Sequence, residues 1–135
     1  MSLVLLRIVL FLGGVFVVFS GLKTVLGSIA PFVPDAAGLS RELLVHENHL
    51  RFLGGVWIGL GILLLVAPLR PRALQPMLYL AFALIFAGGI ARLTILRTDV
   101  LLDPVVLGSL AAELVLMPVL FYWLARELRD GPRPS

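Results

Sequence analysis

Four stretches of this chain run about as far as a lipid bilayer is thick with almost no charge, and no other feature constrains its fold as strongly. Ile8 to Leu22, Phe52 to Leu69 and Ala73 to Ala91 carry no Asp, Glu, Lys or Arg, and Val105 to Ala125 carries one, Glu113. A hydrocarbon core of about 30 Å needs roughly 20 apolar residues as a helix. The helix is required because each backbone N–H and C=O must find its partner without water. Arg7 and Lys23 extend the first run if their long stems reach to the two surfaces. The predicted spans are about 3–26, 51–69, 73–97 and 105–125. The expected fold is all-α: one integral membrane domain, an antiparallel bundle of four transmembrane helices, with one short extramembrane helix in the first loop.

Composition excludes the alternatives. Of the 135 residues, 60% are hydrophobic and 14% charged, against about 25% charged in an average soluble domain. Mean hydropathy is +1.07, which excludes a water-soluble globule, and disordered chains are polar and highly charged instead. The sequence has no cysteine, so disulfides, thiolate metal sites and cysteine nucleophiles are absent.

The links between spans are unequal. Arg70 to Arg72 is so short that the second and third spans must form an antiparallel hairpin. The first connection, Gly27 to about Asn48, is long and polar, a loop through Pro31 and Pro34. There Ser40, with Arg41 and Glu42 behind it, is placed to start a short surface helix that feeds the second span. Ser28-Ile29-Ala30 has the small-x-small form of a leader cleavage site, but Pro31 directly after it is a poor cleavage context, so the first span is read as a retained helix.

Orientation follows the basic residues. With four spans, both termini and the Arg70/Arg72 turn share one face, which carries Arg7, Arg70, Arg72, Arg126, Arg129 and Arg133. The other face has Lys23, Arg41 and Arg97, with Arg51 and Arg92 at or inside the boundary. The balance favours cytoplasmic termini, and Tyr79, Tyr122 and Trp123 fall where an aromatic belt on that side belongs. The pI near 10.2 is then a consequence of topology. With no basic stripe and no soluble domain, nucleic acid is not an expected partner.

The polar residues inside the spans point to a site. Arg92 lies about 10 Å along the chain direction from Asp99 and Glu113 about 13 Å from Pro104, at 1.5 Å per helical residue. The third and fourth spans are neighbours, so Arg92 and Glu113 reach matched depth and are expected to pair. Arg51 opens the second span with Glu47 one turn before it, and Lys23 closes the first. Charges at such depth cost about 2.5–3.5 kcal/mol on insertion scales and point into a bundle or cavity with a partner. An Arg–Glu pair can also serve only to set helix register. The surplus of Arg51, Arg92 and Lys23 over Glu47 and Glu113 is the argument for a ligand, because guanidinium forks match carboxylate and phosphate oxygens.

His46-Glu47-Asn48-His49 is the densest polar cluster. Two histidines three apart with a carboxylate between them resemble a metal site, but the order is one residue short of His-Glu-x-x-His. The expectation is solvated histidines, no metal, and Glu47 with Asn48 beside the pocket. Glycines supply packing: Gly55 and Gly59 form a small-xxx-small pair, Gly108 forms another with Ala112, and Gly88-Gly89 lies in the third span. Such patterns serve internal contact or homodimerisation equally. Pro118 is expected to kink the fourth span one turn below Glu113.

With these residues in view, a resemblance emerges. Glu47-Asn48-His49-Leu50-Arg51-Phe52-Leu53-Gly54-Gly55 with Gly59-Leu60-Gly61, then Gly88-Gly89-Ile90-Ala91-Arg92 and Glu113, resembles a bacterial family of small four-helix membrane proteins known only as a domain of unknown function. The resemblance covers nearly the whole chain. Its pattern is an acidic or amide residue before Arg-Phe, a Gly-x-x-Arg and a later Glu, which fall here on Glu47/Asn48, Arg51, Gly89, Arg92 and Glu113. It implies a multi-pass protein of the bacterial inner (cytoplasmic) membrane and no assigned reaction. The topology is also similar to DoxX-type proteins, some of which are linked to quinone chemistry.

The expected function is binding of a small anionic or amphipathic ligand, of lipid or quinone type, in an outer-half polar pocket. Arg51 and Arg92 would anchor it and Glu113 orient them, with Glu47, Asn48 and Lys23 alongside. No cofactor is expected; the partners are membrane lipids and either a larger membrane complex or a second copy in a homodimer. An accessory subunit of such a complex is one alternative, and a small dimeric proton-coupled carrier using Glu113 is another. An enzyme is the least supported reading, since only Glu47, Glu113, His46 and His49 could move protons.

Overall fold

A computed structural model of the chain describes residues 3–27, 40–94 and 97–130. Pro31, Pro34, the Ser28-Ile29-Ala30 pattern, the end of the predicted third span at Ile95 and Leu96, and Arg133 lie outside the described residues. The described chain is all-helical, and four of its helices are long and apolar enough to cross a membrane. Helix α1 is Leu3–Gly27, α2 is Arg41–Val66 with a 3-10 turn Ala67–Leu69 at its end, and α3 is Gln75–Arg92. A single turn, α4, Thr98–Leu101, precedes α5, Pro104–Ala111, which runs through a π-helical turn, Ala112–Leu116, into α6, Met117–Asp130.

Side chains at the ends account for several of these boundaries. The Ser40 hydroxyl accepts from the Leu43 N–H at 3.4 Å, capping α2 as expected from sequence. The helix that Ser40 starts continues without a break into the second span, so the extramembrane turns and the span are one helix. Asp103 caps α5 by accepting from Val105 N–H at 2.9 Å and Val106 N–H at 3.3 Å, and Pro104 sits where a helix needs no N–H. The third helix ends at Arg92, short of the predicted limit at 97.

Much of the surface is apolar: Phe16 is 69% exposed, Phe52 70% and Val105 81%. Such a surface suits lipid as the solvent rather than water. The chain divides into two compact units, residues 7–69 and residues 70–130 with the start of α1.

In the first unit α1 and α2 run antiparallel and touch at glycines. A Cβ built on Gly14 would lie 2.9 Å from the Gly61 carbonyl oxygen, and one built on Gly21 would lie 2.7 Å from that of Gly54. These four glycines repeat at seven residues in both helices, two turns apart, so the contact recurs along the pair. None has positive φ; what each contributes is the absence of a side chain.

In the second unit α3 packs on α6 and on the π-turn. Leu78, Ala81, Phe82 and Gly89 of α3 are buried, as are Leu110, Glu113, Leu120, Trp123 and Leu124 of the fourth span. The π-turn closes through the Met117 N–H bonding to the Ala112 carbonyl, five residues back. Pro118 explains it. Its ring clashes with a carbonyl four residues earlier and it has no N–H to donate, so the helix widens just before it. The expected kink at Pro118 therefore takes the form of a bulge that contains Glu113.

Of the glycines predicted to pack, Gly89 does: a Cβ there would meet the Glu113 Cβ at 2.8 Å and Leu114 at 2.9 Å. Nothing lies within 4 Å of a Cβ on Gly55, Gly59, Gly88 or Gly108, so within the described chain they are not packing residues. The contacts fall instead on Gly54 and Gly61. Each residue of a helix is turned about 100° from the last. In each glycine pair, Gly13-Gly14, Gly54-Gly55 and Gly88-Gly89, only one member therefore meets the partner.

Candidate functional site

Among the described residues, each unit holds one acid–arginine pair whose carboxylate is buried. In the first, Arg51 Nε donates to Glu47 Oε1 at 2.9 Å across one turn of α2. Glu47 is buried while half of the Arg51 side chain is exposed. The i, i+4 spacing makes this pair local, which is why it could be read from sequence. Asn48 and Lys23, expected beside it, have exposed side chains, and Lys23 makes no ion pair among the described residues. His46 and His49 are exposed as well; His46 Nδ1 donates to the Glu42 carbonyl at 2.9 Å. No three His, Cys, Asp or Glu side chains among the described residues gather as a metal site.

The second pair joins α3 to the π-turn. Arg92 Nε lies 3.2 Å from Glu113 Oε2, the pairing expected from matched depth. Arg92 is the last residue of α3, where a cation is favoured by the C-terminal end of the helix dipole. Its Nη1 also donates to the Ser109 hydroxyl at 3.3 Å, and Ser109 in turn donates to the Val106 carbonyl at 2.9 Å. Sequence reasoning passed over Ser109, although a serine one turn before a buried carboxylate in an apolar run was a visible signal.

The two members of this pair have different surroundings. The Glu113 side chain is 7% exposed and that of Arg92 is 44% exposed. Glu113 Oε2 has the ion-pair contact but makes no hydrogen bond. Gly89 brings the α3 backbone against the Glu113 Cβ, so no side chain stands between the carboxylate stem and α3. The remaining amino nitrogen of Arg92, Nη2, makes no hydrogen bond among the described residues. The arrangement is a buried carboxylate anchoring a half-exposed guanidinium that still has donors to offer.

Other features frame this site. An apolar groove of about 340 Å³ in the same unit is lined by Phe82, Phe86, Met117, Pro118 and Phe121 with Ala83. Tyr79 stacks on Phe121 with ring centroids 4.3 Å apart and accepts from Gln75 Nε2 at 2.7 Å. Trp123, expected in a belt, is buried and donates through Nε1 to Glu127 at 3.2 Å, whereas Tyr122 stays on the surface. In the turn after α3, Arg97 Nε donates to Asp99 Oδ1 at 3.1 Å and Nη2 to Oδ2. That pairing holds the Asp99 carboxyl below its ordinary value and the Arg97 guanidinium above its own.

Four apolar helices with a charged pair inside each unit define a small multi-pass membrane protein. More narrowly, the chain belongs to the family described as a domain of unknown function, DUF4345, whose profile matches residues 5–124 and so includes both pairs. No curated protein and no solved structure gives a significant match.

Proposed function

We propose that the protein binds a small anionic or amphipathic ligand through Arg92, in a bacterial inner membrane with its termini on the cytoplasmic side. The observation that carries this reading is the unequal burial of the Arg92–Glu113 pair. A pair that served only to set the register of α3 on the fourth span would have no use for guanidinium donors turned outward. Here the carboxylate is enclosed and the guanidinium is left open, oriented by Glu113 and Ser109, with Nη2 free for a carboxylate or phosphate oxygen. The basic excess on the terminal face supports the orientation. Within the other unit, Arg51, tethered by Glu47 and half exposed, repeats the same design.

The test is native mass spectrometry of the protein in native membrane discs, with wild type compared to Arg92→Lys and Arg92→Ala. Lysine preserves the charge and the pairing with Glu113 but loses the guanidinium fork. An anionic species retained by wild type and lost from a folded Arg92→Lys variant supports the reading. Bare protein in all three would overturn it.

A second reading rests on Gly55 and Gly59 of α2, which lie one turn apart with open space over both. Close helix approach in lipid uses such small-residue surfaces, so this face suits docking as an accessory subunit on a larger membrane complex. Gly55→Leu with Gly59→Leu would then release co-purifying protein while leaving the fold unchanged.

A further inference from the structure

We propose that Arg92 is exchanged between Glu113 and the ligand: an anion binding at the guanidinium displaces the Glu113 carboxylate, which takes up one proton. This rests on the binding reading above and states how that site is regulated. The Arg92 guanidinium is a planar fork of donors. Its side-on edge presents Nε and Nη2 as two parallel donors, the arrangement that carboxylates and phosphates occupy with two oxygens. Glu113 Oε2 stands 3.2 Å from Nε without making a hydrogen bond, and Nη2 makes none among the described residues. Nη1 is held by Ser109. An anion able to use Nε and Nη2 together therefore competes for the donor that Glu113 holds poorly.

Displacement leaves Glu113 without a counter-charge. From α3 the only charged residue is Arg92, because Gln75 to Ala91 contains none. In α5, Pro104 to Ala111 contains none either, and Ser109 is neutral. The nearest charge in α6 is Arg126, thirteen residues on, about 20 Å along a helix. A buried carboxylate with no partner neutralises itself by protonation. The balance closes: one anion and one proton enter, Arg92 keeps its positive charge, Glu113 becomes neutral, and the net charge of the site is the same before and after. The proton arrives from the Arg92 side, where the pair is exposed.

The experiment is calorimetric titration of octane-1-sulfonate into the full chain in lipid nanodiscs, in two buffers of different ionisation enthalpy. The sulfonate does not protonate, so the difference between buffers counts protons taken up by the protein. About one proton per sulfonate is expected for wild type, with affinity falling up to tenfold per pH unit as pH rises. Glu113→Gln should bind with no proton uptake and no pH dependence. Sulfonate binding that is lost in Arg92→Lys but carries no proton in wild type would overturn the exchange and leave the binding reading standing. No sulfonate binding to wild type would overturn both. The wild-type count decides even if Glu113→Gln does not fold. Sulfate ion in a parallel titration separates the ligand's sources: equal binding points to a free anion, and binding of the tailed probe alone to an amphiphile. The exchange holds in either case only if the proton accompanies the anion.

Discussion

Gly14 of α1 and Gly61 of α2 face each other with so little space that a Cβ built on either would lie within 3.0 Å of the other's carbonyl oxygen. The same relation recurs two turns along at Gly21 and Gly54. In lipid there is no hydrophobic drive to hold two apolar helices together, so backbone approach and the packing it allows carry the association. The α1–α2 unit is thus built on four missing side chains.

Gly61→Ala should destabilise that unit, because the new methyl would meet the Val18 backbone nitrogen at 2.7 Å and backbone cannot yield as a side chain does. Overpacking of this kind costs about 1–3 kcal/mol. Gly59→Ala, with open space over it, should be neutral or gain up to about 1 kcal/mol from helix propensity. Thermal unfolding in detergent, followed by Trp57 fluorescence, compares the two.

Pro118→Ala should trade the site for stability. Restoring an N–H at position 118 lets it bond to the Leu114 carbonyl, and removing the ring takes away the clash that opens the π-turn. Stability should rise by less than the roughly 3 kcal/mol separating Pro from Ala in a helix interior, since the bulge already relieves part of the strain. Glu113 would rotate away from Arg92 as the turn tightens. Hydrogen exchange at the Met117 amide, together with the sulfonate titration, reports both effects.

Removing one member of the Arg92–Glu113 pair should cost more than removing both. Arg92→Met leaves Glu113 buried without its counter-charge, so the carboxyl must be protonated in the folded state and the loss grows as pH rises, up to about 3–5 kcal/mol. Arg92→Met combined with Glu113→Leu replaces the pair by apolar groups and should recover most of it. A double-mutant cycle of unfolding free energies measures the coupling, and additive effects would mean that the pair contributes nothing.

The Arg97–Asp99 pair should loosen in acid. The Arg97 hydrogen bonds lower the Asp99 value, so the contact is complete above the ordinary carboxylate value of 3.8 and is lost as pH falls through the lower, folded value. Both groups are fully exposed, so the effect is confined to the turn at α4. In an NMR titration of the Asp99 carboxyl, Arg97→Ala should move the midpoint upward toward the ordinary value.

Much of the site was legible because it follows from helix arithmetic. Glu47 and Arg51 meet across one turn of a single helix, and Arg92 and Glu113 meet because 1.5 Å per residue places them at matched depth on either side of the turn between the third and fourth spans. Ser109 left a signal in the sequence, but its bond to Arg92 and the open Nη2 depend on which way two helices turn toward each other.

The same division holds for the whole chain. Length, hydropathy and charge placement determined the four helices, the Ser40 start of α2 and the Glu47–Arg51 pairing, because each is a property of a single segment and needs no other segment to be read. Tertiary structure alone decided which glycine of each pair is a contact, that Trp123 turns inward, and that Pro118 produces a π-turn around Glu113 rather than a simple bend. Helical periodicity names the faces a helix has; which face is buried is chosen by the shape of the neighbour, and that shape is written in other parts of the chain.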